Sequence, residues 1–230
     1  MYKDSEQEKV TKTWAGEKAK LAQMTTQQKI SYIFTYYWMH MLIIFIVISS
    51  IIWIVHHRMT YVQYKLYGAV INSEQVDESL EKTLPKELGM AKHEGVSLVA
   101  GLSGDVDNNS TAYYNQIDLF TVSGQMDFVF TDDAGVQYLC DLGTPLDVTQ
   151  ELPDNLKDLW QNREATFSQR NANDDTYFDN YAAIDISGTN VQKYFGLDSN
   201  MSYLVIVDLS GNDYMKDFYQ LLYEIEIGEK

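Results

Sequence analysis

Asp105, Asp107 and Asn109 open the segment DVDNNSTAYYNQ (105–116) at the alternating spacing of a calcium loop. The match stops there. Ser110 stands where the loop needs a glycine, and Gln116 where it needs a bidentate glutamate. A solvated acidic turn is the expectation. The four histidines offer no better metal chemistry. His40, His56 and His57 lie in or beside a long apolar run, and His93 stands apart, with no Cys or carboxylate at zinc-ligand spacing. Cys140 is the only cysteine, so no intrachain disulfide forms, and its place beside Leu139 on an apolar face predicts a core residue rather than a reactive thiol. No glycine-rich phosphate loop or nucleophile elbow is present. Gly101-Leu-Ser103-Gly104 follows a strand-like run but leads into acidic residues, which disfavours phosphate. The residues do not predict an enzyme, a cofactor or a metal.

The remaining candidates depend on the elements that would place them. From residue 65 onward, apolar β-prone runs alternate with amphipathic helical stretches. The runs are LYGAVIN (66–72), VSLVAGL (96–102), MDFVF (126–130), YAAIDIS (181–187) and YLVIVDLS (203–210). Between them, Ser73 would cap a helix carrying Val76, Leu80 and Leu84 and ending near Gly89. Tyr113, Ile117 and Phe120 form a second stripe, stopped by Gly124. Asp132 or Asp133 would cap a third helix, with Val136, Leu139 and Cys140 inward and Gly143 at its end. Leu156, Leu159 and Trp160 belong to a helix after Pro145. Val191, Tyr194 and Phe195 belong to a short one. Phe218, Leu221 and Leu222 belong to the last, extended by Tyr214 and Ile225. Residues 161–180 are polar, rich in Asn and Asp, and predict no regular structure.

This alternation predicts an α/β domain with a mainly parallel sheet flanked by helices. In such a sheet, ligands sit beyond the carboxyl ends of the strands. That rule selects Asn72, Ser73, Ser103, Asp105, Thr131, Asp132, Ser187 and Ser210 as ligand-binding candidates. The same residue types also cap helices at those positions, so capping is the competing role for each.

One transmembrane helix is expected ahead of the domain. Residues 33–55 read IFTYYWMHMLIIFIVISSIIWIV, without Lys, Arg, Asp or Glu. At ~1.5 Å per residue this stretch crosses a bilayer core with some tilt. Tyr32, Tyr36, Tyr37 and Trp38 gather at one end and Trp53 stands near the other, as interfacial aromatic belts do. HHRM follows where a signal-peptide cleavage site would need small residues, so the span reads as an uncleaved anchor. The predicted layout is a cytoplasmic tail and juxtamembrane helix over 1–31, a transmembrane helix over 32–57, a connector over 58–64 and an extracellular α/β domain over 65–230. Thr25 and Gln28 have capping-box spacing, so a helix would start there and run through HHRMTYVQY. Six lysines precede the span, while Arg58 and Lys65 are the nearby cations after it. Lys and Arg near the span set orientation, so the N-terminus is expected in the cytoplasm.

From Met59 onward the chain carries 29 acidic and 10 basic residues. A domain with that balance repels nucleic acid and anionic membrane surfaces; solubility is the plain reading of it, and a preference for cationic ligands, peptides or a basic partner the sharper one.

Three segments resemble known families. MTTQQKISYIFTYYWMH (24–40) resembles the juxtamembrane opening of single-pass membrane proteins of Gram-positive bacteria of the clostridial group. SGQMDFVFTDDAGVQYLCDLGTPLDVTQELP (123–153) and YLVIVDLSGNDYMKDFYQLLYE resemble segments of extracellular solute-binding proteins of ABC transporters. The domain is shorter than a complete two-lobed binding protein, and a membrane helix replaces the lipid-modified cysteine. The resemblance therefore implies a reduced, single-lobe relative: a membrane-anchored binding or accessory module. Its partners would be the lipid bilayer and a small polar ligand. The alternative is a structural or regulatory subunit that docks another membrane protein and binds no ligand.

Overall fold

The computed structural model describes Lys18 and residues 21–104, 111–171, 173–207 and 213–230. The chain divides into two compact units, one through Tyr61 and one from Val62 to Lys230.

Helix α1 (Thr26–Thr60) dominates the first unit. Its start follows from Thr25, whose hydroxyl accepts from Gln28 N at 3.4 Å while the Gln28 side chain accepts from Thr25 N at 3.0 Å. This reciprocal pair satisfies two backbone donors that a helix leaves open at its beginning. Residues Trp38–Thr60 have a mean hydropathy of 2.4, and none of that stretch is buried by protein. The helix is thus long and apolar enough to span a membrane. It ends at Thr60, and strand geometry begins at Gln63, so Val62, Gln63 and Tyr64 do not continue the helix as the sequence suggested.

The second unit is an α/β sandwich around six strands: β1 (Gln63–Ile71), β2 (Glu94–Leu102), β3 (Phe128–Thr131), β4 (Glu164–Arg170), β5 (Tyr177–Asp185) and β6 (Tyr203–Ile206). Their order across the sheet is β2-β1-β3-β6-β5-β4. β1 pairs in parallel with β2 and β3. The other three pairings, β3 with β6, β6 with β5 and β5 with β4, are antiparallel. The sheet is therefore mixed, not mainly parallel. An apolar run such as Leu204–Ile206 reads the same in either direction, and burial on both faces leaves no trace of which way the strand runs. The second departure is β4. EATFSQR carries one large apolar residue, yet it pairs along its whole length with β5. Its buried polar residue, Gln169, donates to Pro145 O at 3.0 Å, and Asn180 of β5 donates to the same carbonyl at 3.3 Å. Those partners lie far off in sequence, so the strand looks like a loop in isolation.

Strand alternation splits the core into two layers. Leu66, Val70, Phe128, Phe130, Leu204 and Ile206 face one side. There they meet α2 (Leu80–Glu87), α5 (Val148–Glu151), α6 (Asp154–Leu159), α7 (Asn190–Tyr194) and α8 (Tyr214–Glu226). Phe218 of α8 stacks on Phe128 with ring centroids 4.2 Å apart. Ala69, Ile71, Val129 and Val205 face the other side, toward Ile117 of α3 (Thr111–Val122) and Val136, Leu139 and Cys140 of α4 (Asp133–Leu142). The expected caps of α4 are present: Asp132 accepts from Gly135 N, and Gly143 closes the helix with φ 75°. Ser73 does not cap a helix, because α2 begins only at Leu80. The stripe position Leu159 is 38 % exposed, while Leu156 and Trp160 are buried.

Candidate functional site

The β1–α2–β2 connection leaves on one face of the sheet, and the β2–α3–β3 connection crosses back over β1 on the other. The strand order reverses between β1 and β3, and the carboxyl ends of these two parallel strands are parted by the reversal. Such a switch point leaves a crevice above the sheet. Here it is a concavity of about 380 Å³ lined by Asn72, Ser73, Glu74, Gly101, Leu102, Ser103, Asp132 and Ala134.

Asn72 occupies the left-handed region with φ 66°. Asn tolerates that conformation better than most residues, and its side chain can then serve neighbouring backbone. Its Nδ2 donates to Asp132 Oδ1 at 2.7 Å, and its Oδ1 accepts from Gly104 N at 2.8 Å. Asp132 Oδ1 also accepts from Gly135 N at 2.9 Å, the cap of α4. One amide and one carboxylate thus tie together the ends of β1 and β3 and the loop after β2. Ser73 is 8 % exposed. Its hydroxyl donates to Asp198 Oδ2 at 2.7 Å and accepts from Gln75 N at 3.0 Å. Ser73 O accepts from Gly101 N at 2.8 Å, where Gly101 takes φ 79°.

Four of the eight sequence candidates, Asn72, Ser73, Ser103 and Asp132, therefore line one concavity. Thr131 lies beneath it, fully buried, with its hydroxyl donating to Ile71 O at 3.3 Å. Its hydroxyl is committed to the backbone of β1 rather than to the opening. Ser187 follows β5, whose carboxyl end shares this edge of the sheet because Asp185 pairs with Tyr203 and Tyr203 with Thr131. It stands two strands away from Asp132, and its hydroxyl donates to Asp185 Oδ1. Ser210 lies outside the described residues. The strand it follows, β6, runs antiparallel to β3, and Val207 N donates to Asp127 O at 2.9 Å. β6 therefore ends at the opposite edge. Asp105, with the rest of the calcium-like turn through Ser110, also lies outside the described residues.

The sequence candidates did not include Glu74, Gly101, Leu102 and Ala134, which complete the lining, or Asp198, which receives the Ser73 hydroxyl. Gly101 carried a signal in its position at the end of an apolar strand. Asp198 carried none, being 125 residues from its partner.

The surroundings are acidic. Glu74 also lines a neighbouring depression of about 360 Å³ with Asp77, Glu78, Glu81 and Lys82. Hydrogen bonds from the Ser79 side chain and backbone hold the Asp77 carboxyl below its ordinary range. Glu81 accepts from Leu98 N on the outer edge of β2 at 3.3 Å. A phosphate or other anion would meet repulsion here, while a neutral or amine-bearing group would not. Among the described residues, no group of three or more His, Cys, Asp or Glu side chains is placed to hold a metal ion.

No family model, no curated protein and no solved structure matches this chain.

Proposed function

We propose that the chain is a membrane-anchored binding or accessory module, similar to one lobe of an extracellular solute-binding protein. In this reading α1 crosses the membrane with the N-terminus in the cytoplasm, and the α/β unit lies outside the cell. The observation that carries it is the concavity between β1 and β3. Asn72, Ser73, Ser103 and Asp132 converge there from the ends of three parallel strands. Pre-formed concave sites with a few fixed polar groups are where small ligands bind. The carboxylates of Glu74 and Asp132 favour an amine-bearing or neutral ligand. The test is thermal unfolding of the full chain in detergent micelles with amino acids, sugars and short peptides. A ligand at a hundredfold excess over its Kd stabilises by about 2.7 kcal/mol. Asp132→Ala should abolish that shift, and Asp154→Ala should leave it intact, because the Asp154 side chain is fully exposed on a different helix.

A second reading is favoured by the way the site's polar groups satisfy one another, Asn72 with Asp132 and Ser73 with Asp198. Here the unit is a structural or regulatory subunit that docks a membrane protein. A panel without a single stabilising ligand, together with a membrane protein that co-purifies at fixed stoichiometry, would favour it.

A further inference from the structure

The exposed apolar residues of the α/β unit are not scattered. From Val62 onward, nine large apolar residues are exposed among those described. Leu159 and Ile227 lie toward the carboxyl ends of β1–β3. The other seven gather at the amino ends. Val62 and Tyr64 lead into and open β1 there. Leu119 and Val122, the latter 88 % exposed, are on the last turns of α3 just before β3 begins. The β4–β5 hairpin brings the rest. Its Gln169 and Asn180 bond Pro145 O, and Leu146 N donates to Ile206 O at 2.9 Å, which fixes that loop at the amino end of β3 because Ile206 pairs with Phe128. The hairpin then runs on past this point, carrying Tyr177 and Phe178, while Tyr181 stands level with the start of β3.

This same end of the sheet is joined to the apolar helix by only two residues, since α1 ends at Thr60 and β1 begins at Gln63. Two extended residues reach roughly 10 Å at most between those points. Tyrosine and other aromatic side chains with aliphatic neighbours, gathered at the end of the sheet where the chain enters it, have the composition of an interfacial belt.

We propose that the face formed by Val62, Tyr64, Leu119, Val122, Tyr177 and Phe178 rests on the lipid interface of the membrane that α1 crosses. The proposal rests on the anchor reading above. The occupant is the bilayer rather than a protein, because the strand that Val62 and Tyr64 open is the one the chain enters two residues after the apolar helix. The contact is apolar and aromatic rather than electrostatic, since the unit's excess of acidic residues repels anionic headgroups. It leaves the concavity at the far end of the sheet facing water.

The test uses the full chain reconstituted in phosphatidylcholine vesicles, with an environment-sensitive fluorophore on one introduced cysteine: Val122→Cys, Phe178→Cys or, at the opposite end, Ser199→Cys. Cys140 is buried and will not compete for label. With nitroxide-headgroup lipids in the vesicles, emission should be lost at 122 and 178 and kept at 199, equally in low and high salt. Emission at 122 and 178 that ignores the lipid nitroxide but is quenched by aqueous iodide would overturn the proposal. So would shielding from both quenchers, which would mean that a protein covers the face, or loss of the lipid quenching in high salt. Alkaline carbonate separates the two readings. Release of the chain sinks the anchor and the contact together, whereas retention without lipid quenching sinks the contact alone.

Discussion

The side-chain amide of Asn72 donates to Asp132 Oδ1 at 2.7 Å, across sixty residues of sequence. Asp132 answers two donors with that oxygen, and Asn72 holds the loop after β2 with its own. Asp132→Ala removes a helix cap and leaves the Asn72 amide without this acceptor. It should cost about 1–3 kcal/mol in denaturant unfolding of the α/β unit. Asn72→Ala loses both side-chain bonds and places Cβ-bearing alanine in a left-handed conformation, so its cost should be similar or larger. The double variant should cost less than the sum of the two singles, because each change breaks the shared bond.

Gly135 sits on α4 directly over Thr131. A Cβ there would lie 1.9 Å from the Thr131 hydroxyl oxygen. Thr131 is fully buried and bonded to Ile71 O, so it has little room to retreat. Gly135→Ala should destabilise by about 1–3 kcal/mol through overpacking, although alanine is the better helix former. Combining it with Thr131→Ala should recover part of the loss. A stability equal to or above the parent for Gly135→Ala alone would contradict the close approach of α4 to β3.

Phe218, Leu221 and Leu222 of α8 are all buried, as their spacing predicts. Leu221→Ala should cost ~2–5 kcal/mol and Phe218→Ala ~3–5 kcal/mol. Phe218 also loses its stack on Phe128, so the larger effect belongs there. Equilibrium unfolding of the two variants side by side checks the order.

Burial pushes the Cys140 thiol up from its ordinary 9.0 to about 12, with the Asp141 charge adding to the effect. The native chain should resist iodoacetamide near pH 8 and react once unfolded. A raised thiol pKa means that the folded state holds its proton more tightly. The stability from this group is complete below pH 9.0, the unfolded value, and is lost as pH rises toward about 12. Rapid native alkylation would show that α4 opens locally.

Orientation is checked by thiol labelling in intact cells. A cysteine at Ser5 should be protected from an impermeant reagent, and one at Ser199 should react. The reverse pattern would place the α/β unit in the cytoplasm.

What the sequence discloses depends on whether the deciding partner is near. The capping box at Thr25 and the cap of α4 at Asp132 involve residues three apart, and both are readable. β1, β2 and β3 are legible as apolar runs, and because they are parallel, the rule of carboxyl ends brings Asn72, Ser73, Ser103 and Asp132 to one place. The same rule does not extend to β6, because nothing in YLVIV encodes that this strand runs the other way. β4 is hidden for a related reason. Its buried Gln169 looks like loop polarity until Pro145 O and Asn180 are seen beside it.

The last strand in the chain is not an edge of the sheet. β6 lies between β3 and β5 and is hydrogen-bonded to both. As the chain emerges in order during synthesis, β3 and β5 must wait, each with an unpaired backbone edge, for a segment that arrives near residue 203. Exposed edges of this kind recruit foreign strands. Without β6 the α/β unit is left as two separate pieces of sheet, β2-β1-β3 and β5-β4, and a polypeptide stopped short of β6 should be a substrate for chaperones and proteases rather than a smaller working domain.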